Sequence, residues 1–137
     1  MKRITAIVLV IVAGFCTAGS LQAQSHEVRA NIPFDFTVSG KLLPSGSYRF
    51  ISESSDTILI QNRYQRIGVL SIVLEAGGAP RNDSRLIFHK YGDRYFLSGI
   101  HSTATAMNVE IPRSKLEKQV RQQRAWLGPE QILVAMN

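Results

Sequence analysis

The sequence predicts a mainly β protein, either an antiparallel sandwich or a partly closed barrel, with about seven to eight strands, one C-terminal helix and a short final strand. Three observations support this fold class. Hydrophobic and polar residues alternate strictly over Val28–Val38, which is the period of a half-buried strand. Two apolar-rich runs flank Gly92-Asp93, which is typical of a hairpin with a two-residue loop. A capping box and a Gly-Pro terminator bound one helix, about residues 114–127.

Residues 1–23 have the three parts of a secretory signal peptide. Lys2 and Arg3 precede an apolar run, Ile4–Ala18, and a zone of small and polar residues ends at Ala23. The apolar run of 15 residues is short for a membrane span, which needs roughly 20. We predict cleavage after Ala23 and export to the periplasm or out of the cell. The alternative is an uncleaved membrane anchor.

Residues 24–137 are predicted to form a single β-rich domain. The only cysteine, Cys16, lies in the segment that cleavage removes, and Phe15 stands before it where a lipoprotein needs a small residue. The mature chain then has no disulfide, no thiol nucleophile and no thiolate metal site, so packing must stabilise it. Loss of Lys2 and Arg3 lowers the formal net charge from +6 to +4, a modest excess that favours anionic partners.

The first predicted strand, Val28–Val38, contains Pro33, which cannot donate a ladder hydrogen bond. The strand is therefore expected at a sheet edge or with a bulge. Turns are predicted at residues 39–41 and 42–46, where Gly and Pro suit turn dihedrals. Further strands are predicted over Ser47–Glu53, Thr57–Gln61 and Ile67–Leu74. Residues 75–84 are the least structured stretch, which either crosses between sheets or forms a mobile surface loop.

The central hairpin spans Arg85–His101, and Gly92 accepts the positive φ that a type II′ turn needs. The predicted cross-strand pairs are Tyr91–Arg94, His89–Phe96 and Ile87–Ser98 on one face, and Lys90–Tyr95 and Phe88–Leu97 on the other. Because both faces carry large apolar groups, we expect the hairpin to be covered on two sides.

Ser102–Ile111 is predicted as another strand, after which the pattern becomes helical. Ser114 is expected to cap the helix by accepting from the Glu117 backbone N–H, while the Glu117 carboxylate reaches back. The predicted apolar stripe consists of Leu116, Val120 and Leu127, with Ala125 or Trp126 near it. Gln131–Met136 is predicted as the final strand.

Five cations lie on or just before the helix: Arg113, Lys115, Lys118, Arg121 and Arg124. They are candidate contacts for an anionic envelope polymer or a lipid surface, and the alternative is a solvated face that aids solubility. The apolar stripe is thin for strong membrane insertion. The compartment that a signal peptide implies argues against nucleic acid as a partner.

Catalytic and metal-binding patterns are weak in this chain. Ser98 and His89 fall on one face of the hairpin with Asp93 at its turn, but no nucleophile elbow accompanies them. If pairing continues along the hairpin, His101 falls opposite Ser84, roughly 17 Å from His89, which is too far to share a metal. We therefore predict no catalytic residue, no metal site and no cofactor.

Four segments span most of the mature chain: NIPFDFTV (Asn31–Val38), LPSGSYRF (Leu43–Phe50), LIFHKYGDRYFLSGI (Leu86–Ile100) and IPRSKLEKQ (Ile111–Gln119). In this order they resemble a family of short secreted proteins of unknown function from Gram-negative soil bacteria. The resemblance implies a signal peptide and a single β-rich domain. It supplies no catalytic residue.

The leading hypothesis is an exported, non-enzymatic binding or structural module of the periplasm or cell envelope. An alternative is a small apolar-ligand-binding β-barrel, in which interior aromatic residues line a cavity instead of filling a core. These residues are Phe34, Phe36, Tyr48, Phe50, Phe88 and Phe96. A distant alternative is a hydrolase that uses His89 and Ser98.

Overall fold

The computed structural model describes residues 26–78 and 82–137, so the predicted signal peptide, with Cys16, lies outside the described residues. The mainly β fold is confirmed: eleven strands form two sheets in a half-barrel arrangement, with a single helix followed by a final strand. The strands are β1 (Glu27–Ile32), β2 (Phe36–Val38), β3 (Lys41–Leu43), β4 (Gly46–Ser52), β5 (Thr57–Asn62), β6 (Gly68–Ile72), β7 (Leu74–Glu75), β8 (Arg85–Tyr91), β9 (Arg94–Ser102), β10 (Met107–Glu110) and β11 (Glu130–Ala135). The helix is α1 (Lys115–Gln123).

The two sheets enclose one core. The four-stranded sheet is antiparallel in the order β1-β4-β5-β6. The seven-stranded sheet has the order β11-β8-β9-β10-β7, with β2 and β3 attached beside β9. Strand β2 pairs with β9 in parallel at Thr37 and Phe96, while β3 pairs with β2. At one side of the structure the Asn137 N–H donates to the Arg29 carbonyl (3.0 Å), which joins the C-terminus to β1.

The structure has more strands than expected because two predicted strands each divide between the sheets. The single strand predicted over Val28–Val38 is wrong: β1 ends at Ile32 and β2 starts at Phe36 in the other sheet. Pro33 lies in the break, and β1 is an edge strand, as that proline indicated. The predicted strand over 67–74 divides at Val73 in the same way. Strands that bend from one sheet into the other form the corners of such folds.

Two alternatives were predicted for residues 75–84, a crossing between sheets or a surface loop. The crossing is wrong, because β7 at the start of this stretch and β8 after it both belong to the seven-stranded sheet. Residues 79–81 lie outside the described residues. A third addition to the strand count is β3, which the sequence assigned to a turn because Pro44 and Gly46 follow it closely.

The central hairpin forms as predicted at its turn and departs from the prediction further along. Gly92 has φ +67°, and the four predicted pairs nearest the turn are confirmed. The pairing of Ile87 with Ser98 is wrong, because a β-bulge between Ile87 and Phe88 places Ile87 opposite Gly99. The Ser98 hydroxyl instead donates to the Ile87 carbonyl (3.1 Å).

Aromatic side chains fill the space between the sheets. Phe36, Phe50, Phe88 and Tyr48 are buried there. The Phe36 ring packs edge-on against Phe88 and Tyr48, with centroids 5.6 and 5.1 Å away. The prediction that Phe96 belongs to this interior set is wrong, because Phe96 lies on the opposite face of the hairpin.

Helix α1 covers that opposite face. Leu116 and Val120 pack against Tyr91 and Phe96, so the expectation that the hairpin is covered on two sides is confirmed. The Ser114 hydroxyl accepts from the Glu117 N–H (3.2 Å), as the capping box predicted. The predicted end at residue 127 is wrong, because the helix ends at Gln123.

The early end of α1 follows from where its packing stops. Val120 is the last buried residue of the helix, so within the described residues no buried apolar side chain of α1 remains to hold a further turn in helical form. The Leu127 N–H then donates to the Arg124 carbonyl (2.8 Å) in a turn. Leu127 is therefore partly exposed instead of completing the apolar stripe, and Trp126 is exposed beside it.

Candidate functional site: the cationic surface of α1 and the groove beside it

A buried carboxylate fixes α1 on the hairpin. Glu117 is only 3% exposed, although it lies on a helix that is otherwise mostly polar. Its Oε1 atom accepts from the Tyr91 hydroxyl (3.2 Å) and lies 3.1 Å from Nδ1 of His89. The Arg113 Nε atom is 3.6 Å from the same oxygen. Because buried polar groups are costly to leave unpaired, this network holds the helix in one orientation.

This role of Glu117 is not predicted by the sequence. The capping box predicts a carboxylate that reaches back to the helix N-terminus, whereas Oε1 faces the sheet. The one available signal was the pair His89 and Tyr91, two polar side chains on a hairpin face that the sequence predicts to be covered. Such side chains on a covered face need a polar partner.

The five helix cations divide into two groups. Arg113 approaches Glu117, and the guanidinium of Arg124 lies 3.6 Å from the Asp93 carboxylate at the hairpin turn. The guanidinium lies so close to the turn that a Cβ at residue 92 would collide with it. Lys115, Lys118 and Arg121 are exposed and have no ion pair within the described part of the chain. These three residues are called the cationic surface below.

The cationic surface has a regular geometry. Its residues are three positions apart and lie away from Leu116 and Val120, which face the hairpin. From Lys115 to Arg121 the helix rises about 9 Å. Five residues after Arg121 the chain carries Trp126, which is 80% exposed and is the only tryptophan of the chain.

A groove runs across the outer face of the seven-stranded sheet, next to the start of α1. It consists of two adjoining cavities of about 360 and 420 Å³, which share Ile87, His101, Glu110 and Gln131 as lining residues. Arg113 lines the end nearest the helix. The groove is thus polar at its rim, and it lies on the outer face of the sheet, apart from the aromatic core between the two sheets.

The residues considered for hydrolysis lie partly together in this groove. His89 and Ser98 line the same cavity, but the Ser98 hydroxyl donates a hydrogen bond to the Ile87 carbonyl (3.1 Å). The acid beside His89 is Glu117, whereas Asp93 pairs with Arg124. His89 and Ser98 therefore lie near each other as the sequence predicts, but Asp93, the acid expected with them, is paired elsewhere.

The bulge also shifts His101. It lies opposite Arg85 instead of Ser84, so the separation from His89 along the hairpin is about 14 Å instead of the longer distance expected. Both histidines line one cavity. Within residues 26–78 and 82–137, no group of three or more His, Cys, Asp or Glu side chains converges as metal ligands would. In the same part of the chain, no helix has both the length and the apolar character that a membrane span requires.

Burial of Tyr91 predicts a pH dependence of stability. Desolvation, followed by the negative charge of Glu117, raises the pKa of Tyr91 above its ordinary value of 10.0. The folded state therefore favours the neutral phenol, and this stabilisation is complete below the ordinary pKa and lost as pH rises through the raised one. We expect the melting temperature to fall in alkaline solution and to fall less steeply in Tyr91→Phe.

The matched control for this measurement is Tyr64→Phe, since Tyr64 is an exposed tyrosine. It should follow the wild-type profile. Burial also raises the pKa of Tyr48, so part of the alkaline decline should persist in Tyr91→Phe. Identical alkaline profiles for Tyr91→Phe and the wild-type protein would contradict the assignment.

The segments that carry the family resemblance lie at structurally distinct places. Asn31–Val38 crosses between the sheets, Leu43–Phe50 leads into β4, Leu86–Ile100 forms the central hairpin, and Ile111–Gln119 starts α1. The resemblance itself stays an expectation. Comparison with models of known protein families, with curated proteins and with solved structures finds no match, so the function must be argued from the geometry of this chain.

Proposed function

We propose that this chain is an exported, non-enzymatic binding module of the periplasm or cell envelope, which docks on an anionic partner through the cationic surface of α1. The partner class is an anionic envelope polymer or a lipid surface. The observation that carries the proposal is the division of the helix cations. Two of the five are engaged by carboxylates of the hairpin and helix, whereas Lys115, Lys118 and Arg121 face solvent with no ion pair in the described structure.

The network around Glu117 supports this proposal. A surface helix with few apolar contacts frays readily, and the orientation of its side chains is then averaged. The contacts of Glu117 with His89 and Tyr91 fix α1 against the hairpin, so the three cations are held on one side before a partner arrives. Such preorganisation reduces the conformational entropy that binding must overcome.

Two further observations support a binding module that is not an enzyme and does not hold a ligand in its core. The interior aromatic residues pack against one another and fill the core, which is the arrangement of a structural interior. The Ser98 hydroxyl, the nucleophile that hydrolysis would need, is hydrogen-bonded to a backbone carbonyl. The predicted signal peptide supports this partner class, because an exported chain meets the anionic components of the envelope.

The binding free energy that three cations can supply indicates what kind of partner suits this surface. Each lysine or arginine near an anionic surface contributes about 1 kcal/mol, so three contribute about 3 kcal/mol. That is weaker than the roughly 4 kcal/mol of a millimolar complex. The cationic surface alone therefore gives weak, reversible binding even to a partner that presents many anionic groups, and a small anion that engages fewer of the three cations binds more weakly still.

Removing two of the free cations should weaken binding to a polyanion. We expect Lys118→Gln/Arg121→Gln to bind fluorescently labelled polyphosphate about 30-fold more weakly than the wild-type protein, measured by fluorescence anisotropy at low salt. Added salt should weaken wild-type binding, because the charges are exposed and screened.

The control for this experiment removes equal charge elsewhere. Arg63 and Arg66 are exposed cations in the turn between β5 and β6. Arg63→Gln/Arg66→Gln should bind polyphosphate nearly as well as the wild-type protein. Equal weakening in both double variants would show that net charge, and not the cationic surface, determines binding, and would contradict the proposal.

A further inference from the structure

An exposed aromatic residue follows the cationic surface by five positions along the chain, just beyond the end of α1. Trp126 follows α1 by three residues and is 80% exposed, and its neighbour Leu127 is 37% exposed. The sequence assigned these residues to the end of the helix, where they would have been near the packed stripe. The observed helix ends at Gln123, which leaves them outside the hydrophobic cluster under α1.

The apolar side of α1 cannot itself contact a partner. Leu116 and Val120 are occupied by Tyr91 and Phe96, so the helix cannot turn its apolar residues toward a second surface while it stays packed. The exposed apolar side chains that follow the helix directly along the chain are Trp126 and Leu127. The helix supplies charge, and the turn after it supplies hydrophobic surface.

This combination distinguishes between the two partner classes. A polyanionic polymer offers charge to the three cations and no apolar phase for an indole. A phospholipid surface offers both, because anionic headgroups lie at the boundary of the acyl region, where tryptophan is enriched. A single signal gives only marginal, reversible membrane binding, whereas more stable association needs two signals, such as a basic cluster together with an apolar anchor.

We propose that the partner is an anionic phospholipid surface, on which Lys115, Lys118 and Arg121 contact headgroups while Trp126 inserts at the headgroup level. The inference rests on the proposed function and narrows its partner class. The charge complementarity is between the unpaired cations of α1 and the lipid phosphates. Leu127 contributes a smaller apolar contact from the same turn.

The test uses Trp126 as its own probe. Because it is the only tryptophan of the chain, its fluorescence reports this site alone. The protein recovered after export is mixed with phosphatidylcholine vesicles that contain phosphatidylglycerol, and in parallel with vesicles of phosphatidylcholine alone. We expect the emission to shift to shorter wavelength and to resist aqueous quenchers with the anionic vesicles only.

Sedimentation with the same anionic vesicles tests whether Trp126 contributes to binding. Trp126→Ala should bind them roughly tenfold more weakly, as expected for loss of a partly buried apolar side chain, while its binding to polyphosphate stays unchanged. The matched control is Tyr64→Ala, which removes an equally exposed aromatic residue beside Arg63 and should bind vesicles as the wild-type protein does.

The outcomes separate this inference from the proposed function. Polyphosphate binding through α1 without any change of Trp126 fluorescence on vesicles would overturn the lipid assignment and leave the cationic surface as a polymer site. Equal loss in Trp126→Ala and Tyr64→Ala would also overturn it. Absence of binding to both polyphosphate and anionic vesicles would overturn both proposals.

Discussion

Phe88→Ala is expected to lower the free energy of unfolding by about 3–5 kcal/mol, the range for truncation of a buried aromatic residue. Phe88 is fully buried in the centre of the hairpin, and its ring packs edge-on against Phe36 and Phe34 at centroid distances of 5.6 and 5.1 Å. Truncation leaves a cavity between the two sheets and removes both aromatic contacts. Chemical denaturation followed by circular dichroism measures the change.

A variant on the other face of the same sheet serves as the control. Leu133 lies on β11 and is half exposed, so Leu133→Ala should change the free energy of unfolding by about 0.5 kcal/mol or less. If Phe88→Ala were as mild as Leu133→Ala, the aromatic residues would not form the core described above. The interior would then be loose enough to hold a ligand.

Glu117→Ala is expected to destabilise the protein by about 2–4 kcal/mol, although the residue lies on a surface helix. The change leaves the Tyr91 hydroxyl buried without its acceptor and removes the partner of His89 and the carboxylate near Arg113. Because these contacts hold α1 on the hairpin, the same variant should also bind polyphosphate more weakly. The two effects are measured by denaturation and by anisotropy.

Glu117→Gln separates the hydrogen bonds from the charge. Glutamine keeps a carbonyl oxygen that can accept from Tyr91 and His89, so we expect a loss of only about 1 kcal/mol. Equal stability of Glu117→Ala and the wild-type protein would mean that the network does not hold the helix. A preorganised cationic surface would then lose its physical basis.

The sequence predicts which side of each strand faces the core more reliably than it predicts which sheet the strand joins. Val28, Ile32, Phe36 and Val38 are all buried, as their alternation indicated, although a sheet crossing lies between Ile32 and Phe36. Both sheets face the same core, so the period continues through the crossing. Local periodicity therefore carries no information about the change of sheet.

Sequence rules predict turns and helix caps correctly, but they fail where contacts between distant segments determine the structure. The turn at Gly92 and the cap at Ser114 depend on neighbouring residues, and both are confirmed. The bulge beside Ile87 depends on pairing with β9, and the end of α1 depends on where contact with the hairpin stops. Neither the bulge nor the helix end can be recognised from the residues of its own segment.

The candidate site, too, could be predicted from the sequence only in part. The five cations could be identified from sequence, because basic residues at helical spacing are visible there. Which of them remain free could not, because Arg124 is paired with a residue of the hairpin turn, 31 positions earlier in the chain. The role of Glu117 depends equally on β8, which only the tertiary structure places under the helix.

The central claim is that the outward side of α1 is the binding surface, and backbone amide chemical shifts on titration with short polyphosphate test it most directly. We expect the largest shifts at Lys115, Lys118 and Arg121, with the resonances of Arg63 and Arg66 nearly unchanged. Shifts concentrated instead at Ile87 and the other residues of the sheet groove, with α1 unaffected, would contradict the account.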